Sequence, residues 1–125
     1  TFLLTYDGKL TINGLEKLIN IGRFRDEQVN LLTLSACDTA MGDELAALGL
    51  GGIALKAGVK SAIATLWHID DKAASMVITE FYRGLGKPGQ SKAEALQNAQ
   101  KKLISNSEYN HPAYWSPFLM IGNWK

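Results

Sequence analysis

The chain has 125 residues, 46% of them hydrophobic and 20% charged, with a formal net charge of +1. That length buries one core but not two independent ones, and the balance of apolar and charged residues excludes wholesale disorder. Acids and bases spread evenly along the chain exclude the basic surface that nucleic acid requires, and no apolar run approaches the roughly 20 residues that span a bilayer.

Thr1 to Tyr6 reads as a strand, and Asp7-Gly8 is a strong turn signal. Leu10, Leu15, Leu18, Ile19 and Ile21 fall at helical spacing and predict a short helix from about Thr11 to Asn20. A charged loop at 23–28 follows. Val29 to Ala36 is almost uniformly apolar, the pattern of a strand covered on both faces, and it runs directly into Cys37. Residues 37–42 read as a loop, and Asp43-Glu44 supply the acids favoured in a first helical turn. That helix is expected to stop at Gly58, and its glycines and alanines permit close packing on a sheet.

Val59 to His68 reads as a second buried strand. Asp70-Asp71 open a helix reaching Leu85, with Ala74, Val77, Ile78, Phe81, Tyr82 and Leu85 on one stripe. After the break at Gly86-Lys87-Pro88-Gly89, Ser91 and Glu94 form a capping box for a helix whose inner face carries Leu96, Ala99 and Leu103. A loop holds Asn110-His111-Pro112, and Ala113 to Ile121 is expected as the last strand. Strands alternating with helices imply right-handed βαβ units and a parallel sheet in a single α/β domain over residues 1–125.

Cys37 is the only cysteine, which excludes an intrachain disulfide framework and a cysteine-rich zinc cluster. An unpaired thiol fits a reducing compartment, and without a secretion signal the expected location is the cytoplasm. Because Thr1 leads straight into an apolar run, the chain reads as a piece of a longer protein.

Sites in open parallel sheets form at the carboxyl ends of strands, and Cys37 stands at such an end, before a helix. A helix N-terminus lowers a thiol's pKa from about 8.5 toward ~3.5–7.5 and yields the thiolate that attacks carbonyls. Asp38 works in the opposite direction, since a neighbouring negative charge disfavours thiolate. The plainer alternative is a small buried hydrophobe. A nucleophile needs a base, and His68 ends the strand expected to lie about 4.8 Å from the Cys37 strand. His68 also reads as a polar rim residue, and His111, before Pro112, as structural. Asp70-Asp71 are better explained as helix openers than as metal ligands, and no phosphate-binding loop is present. No metal and no cofactor are expected.

At Leu34-Ser35-Ala36-Cys37-Asp38-Thr39 the sequence resembles the nucleophile motif of CHAT domains, caspase-like modules related to separase and caspases and often joined to tetratricopeptide repeats. The likeness extends along the chain. Asp7-Gly8-Lys9-Leu10-Thr11 resembles the family's hairpin. Ala57-Gly58-Val59-Lys60-Ser61 through Leu66-Trp67 and Asp71 resembles its second strand segment. Phe81-Tyr82, Ala95-Leu96, Ala99-Gln100 and His111 to Phe118 resemble its closing signatures.

The resemblance implies a caspase-like three-layer α/β fold, a mostly parallel sheet with helices on both faces, here without its N-terminal strands and catalytic-histidine segment. It further implies a cysteine endopeptidase acting on protein substrates, with Cys37 as nucleophile and Thr65, Leu66 and Trp67 lining the substrate cleft. The family's catalytic histidine lies in a His-Gly motif upstream of the hairpin, so this chain alone is expected to be inactive. Its expected partners are a peptide substrate, the missing N-terminal half of the domain, tetratricopeptide repeats, and a second copy paired through an exposed sheet edge; nucleic acid and membrane are not among them. A non-catalytic caspase-like scaffold is the alternative.

Overall fold

The structure, a computed structural model, describes residues 2–23, 28–34 and 44–125. The chain divides into two compact units, Thr1–His68 with Leu119–Asn123, and Ile69–Phe118 with Trp124–Lys125.

The first unit opens with a hairpin of β1 (Phe2–Thr5) and β2 (Gly8–Thr11), paired antiparallel from Phe2↔Thr11 to Thr5↔Gly8. Only Tyr6 and Asp7 remain to turn the chain, so the turn expected at Asp7-Gly8 sits one residue earlier. Helix α1 (Ile12–Arg23) begins where the Thr11 hydroxyl accepts the Gly14 N–H at 3.1 Å, an N-cap that satisfies one orphan donor of the first turn. Leu15 and Ile19, one turn apart, are buried, whereas Leu18 and Ile21 are each 57% exposed. The apolar residues that predicted this helix therefore span two of its faces.

Strand β3 (Leu31–Leu34) and strand β4 (Ser61–Thr65) pair in parallel, and α2 (Glu44–Ala57) supplies the crossover that a parallel pair requires. The end of α2 explains the abruptness of that return. Gly58, at φ 110, donates its N–H to Leu55 O at 3.0 Å, and Val59 donates to Ala54 O at 3.1 Å. This is a Schellman closure with glycine in the left-handed position, and Ala54 and Val59 are both buried in the same apolar cluster. Lys60 and Ser61 then enter the sheet by donating to Val29 O and Asn30 O, and the Ser61 hydroxyl adds a 2.7 Å bond to Asn30 O. Leu15, Ile19, Leu50, Ala54, Ala57 and Val59 form the buried core of this unit.

Strand β5 (Phe118–Gly122) completes a three-stranded sheet in the order β3-β4-β5. Asn123 donates to Lys60 O at 2.9 Å, so the end of β5 lies beside the start of β4 and the sheet is mixed. Gly122, at φ 96, is held tightly there: a Cβ would meet Lys60 O at 2.5 Å and Leu55 Cδ2 at 2.8 Å. Both the backbone conformation and the close approach demand glycine. Gly122→Ala is expected to destabilise the chain by about 2 kcal/mol, read as a lowered urea midpoint at unchanged slope.

The second unit packs α3 (Asp71–Leu85) against α4 (Lys92–Ile104). The Asp70 carboxylate accepts the N–H groups of Lys72 and Ala73 at 3.1 and 3.0 Å, starting α3 one residue after the acid pair begins. Ser91 and Glu94 form the expected capping box, with the Glu94 N–H donating to Ser91 Oγ and the Ser91 N–H to Glu94 Oε2. The helices approach closely at Gly84, where a Cβ would lie 3.0 Å from Ala95 Cβ. Ala73, Ala74, Val77, Phe81 and Gly84 are buried on α3, but Tyr82, expected on that stripe, is 49% exposed. The α4 face carries Leu96, Ala99 and Leu103 inward as expected, together with Ala95.

The last strand is shorter than its apolar run suggested. Pro112–Trp115 forms a helical turn, α5, because proline suits the first helical position and the His111 imidazole accepts the Ala113 N–H at Nδ1, 3.2 Å away. The Trp115 indole donates to Asn110 O and Gln100 donates to Trp115 O, fixing the turn against α4. The strand pattern resumes only at Phe118.

Two glutamates in this unit have carboxyls held below their ordinary value. A side-chain hydrogen bond from Lys102 is the main influence holding the Glu80 carboxyl below its ordinary value of 4.5, and Arg83 adds a further lowering. Hydrogen bonds from the Ser91 backbone and hydroxyl do the same for Glu94. A carboxylate depressed on folding stabilises above its unfolded value, and that contribution is lost as pH falls through the folded value. Glu80→Gln with Glu94→Gln is therefore expected to flatten the loss of stability below pH 4.5, leaving the slope above it unchanged, as measured by thermal melts across pH.

Candidate functional site

The parallel register fixes the geometry from which a site is built. Leu31 pairs with Ser61, Leu32 with Ala62, Thr33 with Ile63 and Leu34 with Ala64. Both strands therefore end at the same side of the sheet, the side where parallel α/β sheets carry their chemistry. Every residue of β4 is buried, and Ala62, Ile63 and Ala64 are at most 1% exposed, so the strand that borders this end is firmly held by packing.

Exposure rises as the chain leaves that strand. Thr65 is buried at 8%, Leu66 is half-buried, Trp67 is 41% exposed and His68 is exposed. Of the residues singled out in the sequence, Thr65, Leu66, Trp67 and His68 thus share one end of β4. Cys37 and Asp38 lie outside the described residues; they follow Leu34 by three and four positions in the sequence.

His111 belongs to the second unit, where it caps α5, in agreement with its structural reading. Asp70 spends its carboxylate on the start of α3, in keeping with a helix opener. Among the described residues no group of three or more His, Cys, Asp or Glu is arranged to hold a metal ion, and no helix is long and apolar enough to cross a membrane.

The family model of the CHAT domain matches residues 1–123. No curated protein and no solved structure matches the chain.

Proposed function

The chain belongs to the CHAT domain family, a caspase-like, peptidase-related family, and from that premise we propose that it is the nucleophile-bearing C-terminal part of a cysteine endopeptidase domain. In this reading the Cys37 thiolate attacks the carbonyl carbon of the scissile peptide. The Cys37 backbone N–H donates to the resulting oxyanion, an interaction worth about 3 kcal/mol in comparable acyl transfers. A histidine upstream of Thr1 takes the thiol proton and returns it to the leaving amine, after which water releases the acyl group from sulfur. Thr65, Leu66 and Trp67 line the cleft, with the Trp67 ring against a substrate side chain.

One observation carries the reading most. The motif residue Cys37 follows β3 in the sequence, and β3 ends in register with the β4 segment that opens into Thr65, Leu66 and Trp67. The rest of the domain, a peptide substrate, tetratricopeptide repeats and a second copy across a sheet edge are the partners this function would use, in the cytoplasm. Asp38 favours the second reading, a non-catalytic scaffold, because its charge opposes thiolate formation. The deciding experiment is cleavage by the longer protein with and without Cys37→Ala. Cleavage that survives the substitution removes the peptidase reading and leaves the scaffold.

A further inference from the structure

The turn α5 is capped by a side chain whose capping atom can take up a proton. Pro112 brings no N–H to the start of the turn, so the Ala113 N–H is the first donor that needs a partner. Its acceptor is His111 Nδ1, 3.2 Å away. Helices are ordinarily capped by the side-chain oxygens of Ser, Thr, Asp or Asn. An imidazole nitrogen accepts only while it carries no proton, and the other ring nitrogen then holds the N–H. A second proton on the ring would sit on Nδ1 and meet the Ala113 N–H donor to donor.

The cap stands at the head of a short network. The Tyr114 N–H donates to His111 O at 3.0 Å and the Ser116 N–H to Pro112 O at 2.9 Å. The Trp115 indole donates to Asn110 O at 3.0 Å, and Trp115 O accepts from Gln100 of α4 at 2.9 Å. Both α3 and α4 pack against α5. From α3, Lys72 reaches the cluster, its Nζ 5.9 Å from the centre of the Tyr109 ring. Tyr109 meets Tyr114 edge to face at 5.3 Å, and Tyr114 meets His111 at 6.5 Å. Asp70, beside the start of α3, spends its carboxylate on the Lys72 and Ala73 N–H groups. From α4 the contact is the uncharged Gln100, and Glu108 stands earlier in the same loop as His111. An imidazolium at His111 adds a second cation to a cluster that Lys72 already borders.

We propose that His111 makes α5 a pH-operated clasp, closed on α4 while the imidazole is neutral and released as the ring takes up a proton. Imidazoles titrate between about pH 5 and 8, so the clasp works in the physiological range. The opened turn binds a proton that the closed turn excludes, and falling pH therefore shifts the population toward the open form. Opening frees the Ala113 N–H, the Trp115 indole and the Gln100 amide together. The clasp lies outside the peptidase reading and does not involve Cys37.

The test is hydrogen exchange by NMR at about pH 7.5 and about pH 5, either end of the imidazole range, on the parent chain, His111→Asn and His111→Ala. Protection factors remove the intrinsic pH dependence of exchange. In the parent, protection of the Ala113 and Ser116 amides and of the Trp115 indole falls about fivefold on acidification, the effect of losing one N-cap acceptor. Asparagine caps with an oxygen that does not titrate, so His111→Asn keeps the neutral-pH protection at both values. In His111→Ala the protection is already low at neutral pH and does not change further. The amides of Leu96 and Leu103 in α4 stay as protected as before in all three chains. Parent protection constant within about 1.5-fold, an equal fall in His111→Asn, or a fall shared by Leu96 and Leu103 each overturns the clasp. Should His111→Ala fail to fold, the parent and His111→Asn still decide.

Discussion

In the longer protein, Cys37→Ala is expected to lower peptide cleavage by at least about 10³-fold, with the melting temperature of the domain essentially unmoved. The size follows from the role proposed for the sulfur. Covalent catalysis divides amide cleavage into two easier steps, and alanine offers no electron pair with which to begin the first. Removing one member of a catalytic group that acts as a unit costs nearly as much as removing the whole unit, so residual activity reflects only binding and oxyanion stabilisation. Cys37→Ser is expected to lie close to alanine, since a hydroxyl ionises far less readily than a thiol and is the weaker nucleophile. If Trp67 lines the cleft as proposed, Trp67→Ala is expected to raise KM severalfold while kcat holds, because a half-exposed ring contributes contact area and no charge. Cleavage within threefold of the parent for Cys37→Ala would sink the nucleophile assignment.

Much of the fold was legible in the sequence because local chemistry and global packing agree there. The Ser91-Glu94 box, the Asp70 cap, the Gly58 stop and the apolar strands around Leu32 and Ile63 appear as their residue types dictate. The differences arise where one residue serves two patterns. Tyr82 satisfies the helical period of α3 yet points away from the buried stripe, since an amphipathic ring counts as apolar in a pattern and stays half in water. Ala113 and Trp115 continue the apolar run of β5, but the proline before them and the imidazole cap divert them into a helical turn. The hidden order in β5 is similar: its direction depends on the bond from Asn123 to Lys60 O, a contact 63 positions away in sequence that no local pattern encodes. Of the candidate site, only Thr65 was legible as the end of a buried strand: Val59 to His68 was expected as strand, but β4 spans Ser61–Thr65 and Leu66 and Trp67 lie in the bend beyond it. The graded exposure from Thr65 to Trp67 was not legible, because exposure depends on which elements cover the strand end.

The largest stability effect is expected at Phe81. Its ring is 0% exposed, stands among the largest fully buried side chains, and meets Tyr82 edge to face at 5.4 Å between centroids. Ala95 and Ala99 are buried on α4, and a Cβ on Gly84 of α3 would lie 3.0 Å from Ala95 Cβ, so the two helices pack closely in this unit. Phe81→Ala removes a fully buried ring from this closely packed unit. A loss of about 3–5 kcal/mol is expected, the sum of lost transfer energy and an unrelieved cavity. Tyr82→Ala deletes a ring of similar size from the adjacent position but is expected to lose only about 1 kcal/mol, since half of that surface already faces water. Urea unfolding followed by far-UV circular dichroism compares the two directly. Because a domain of this size holds only about 5–15 kcal/mol in all, Phe81→Ala consumes a large fraction of it, and the α3–α4 pair should melt before the sheet. Equal losses for the two aromatic substitutions would contradict the inward placement of Phe81, and with it the register of α3 against α4.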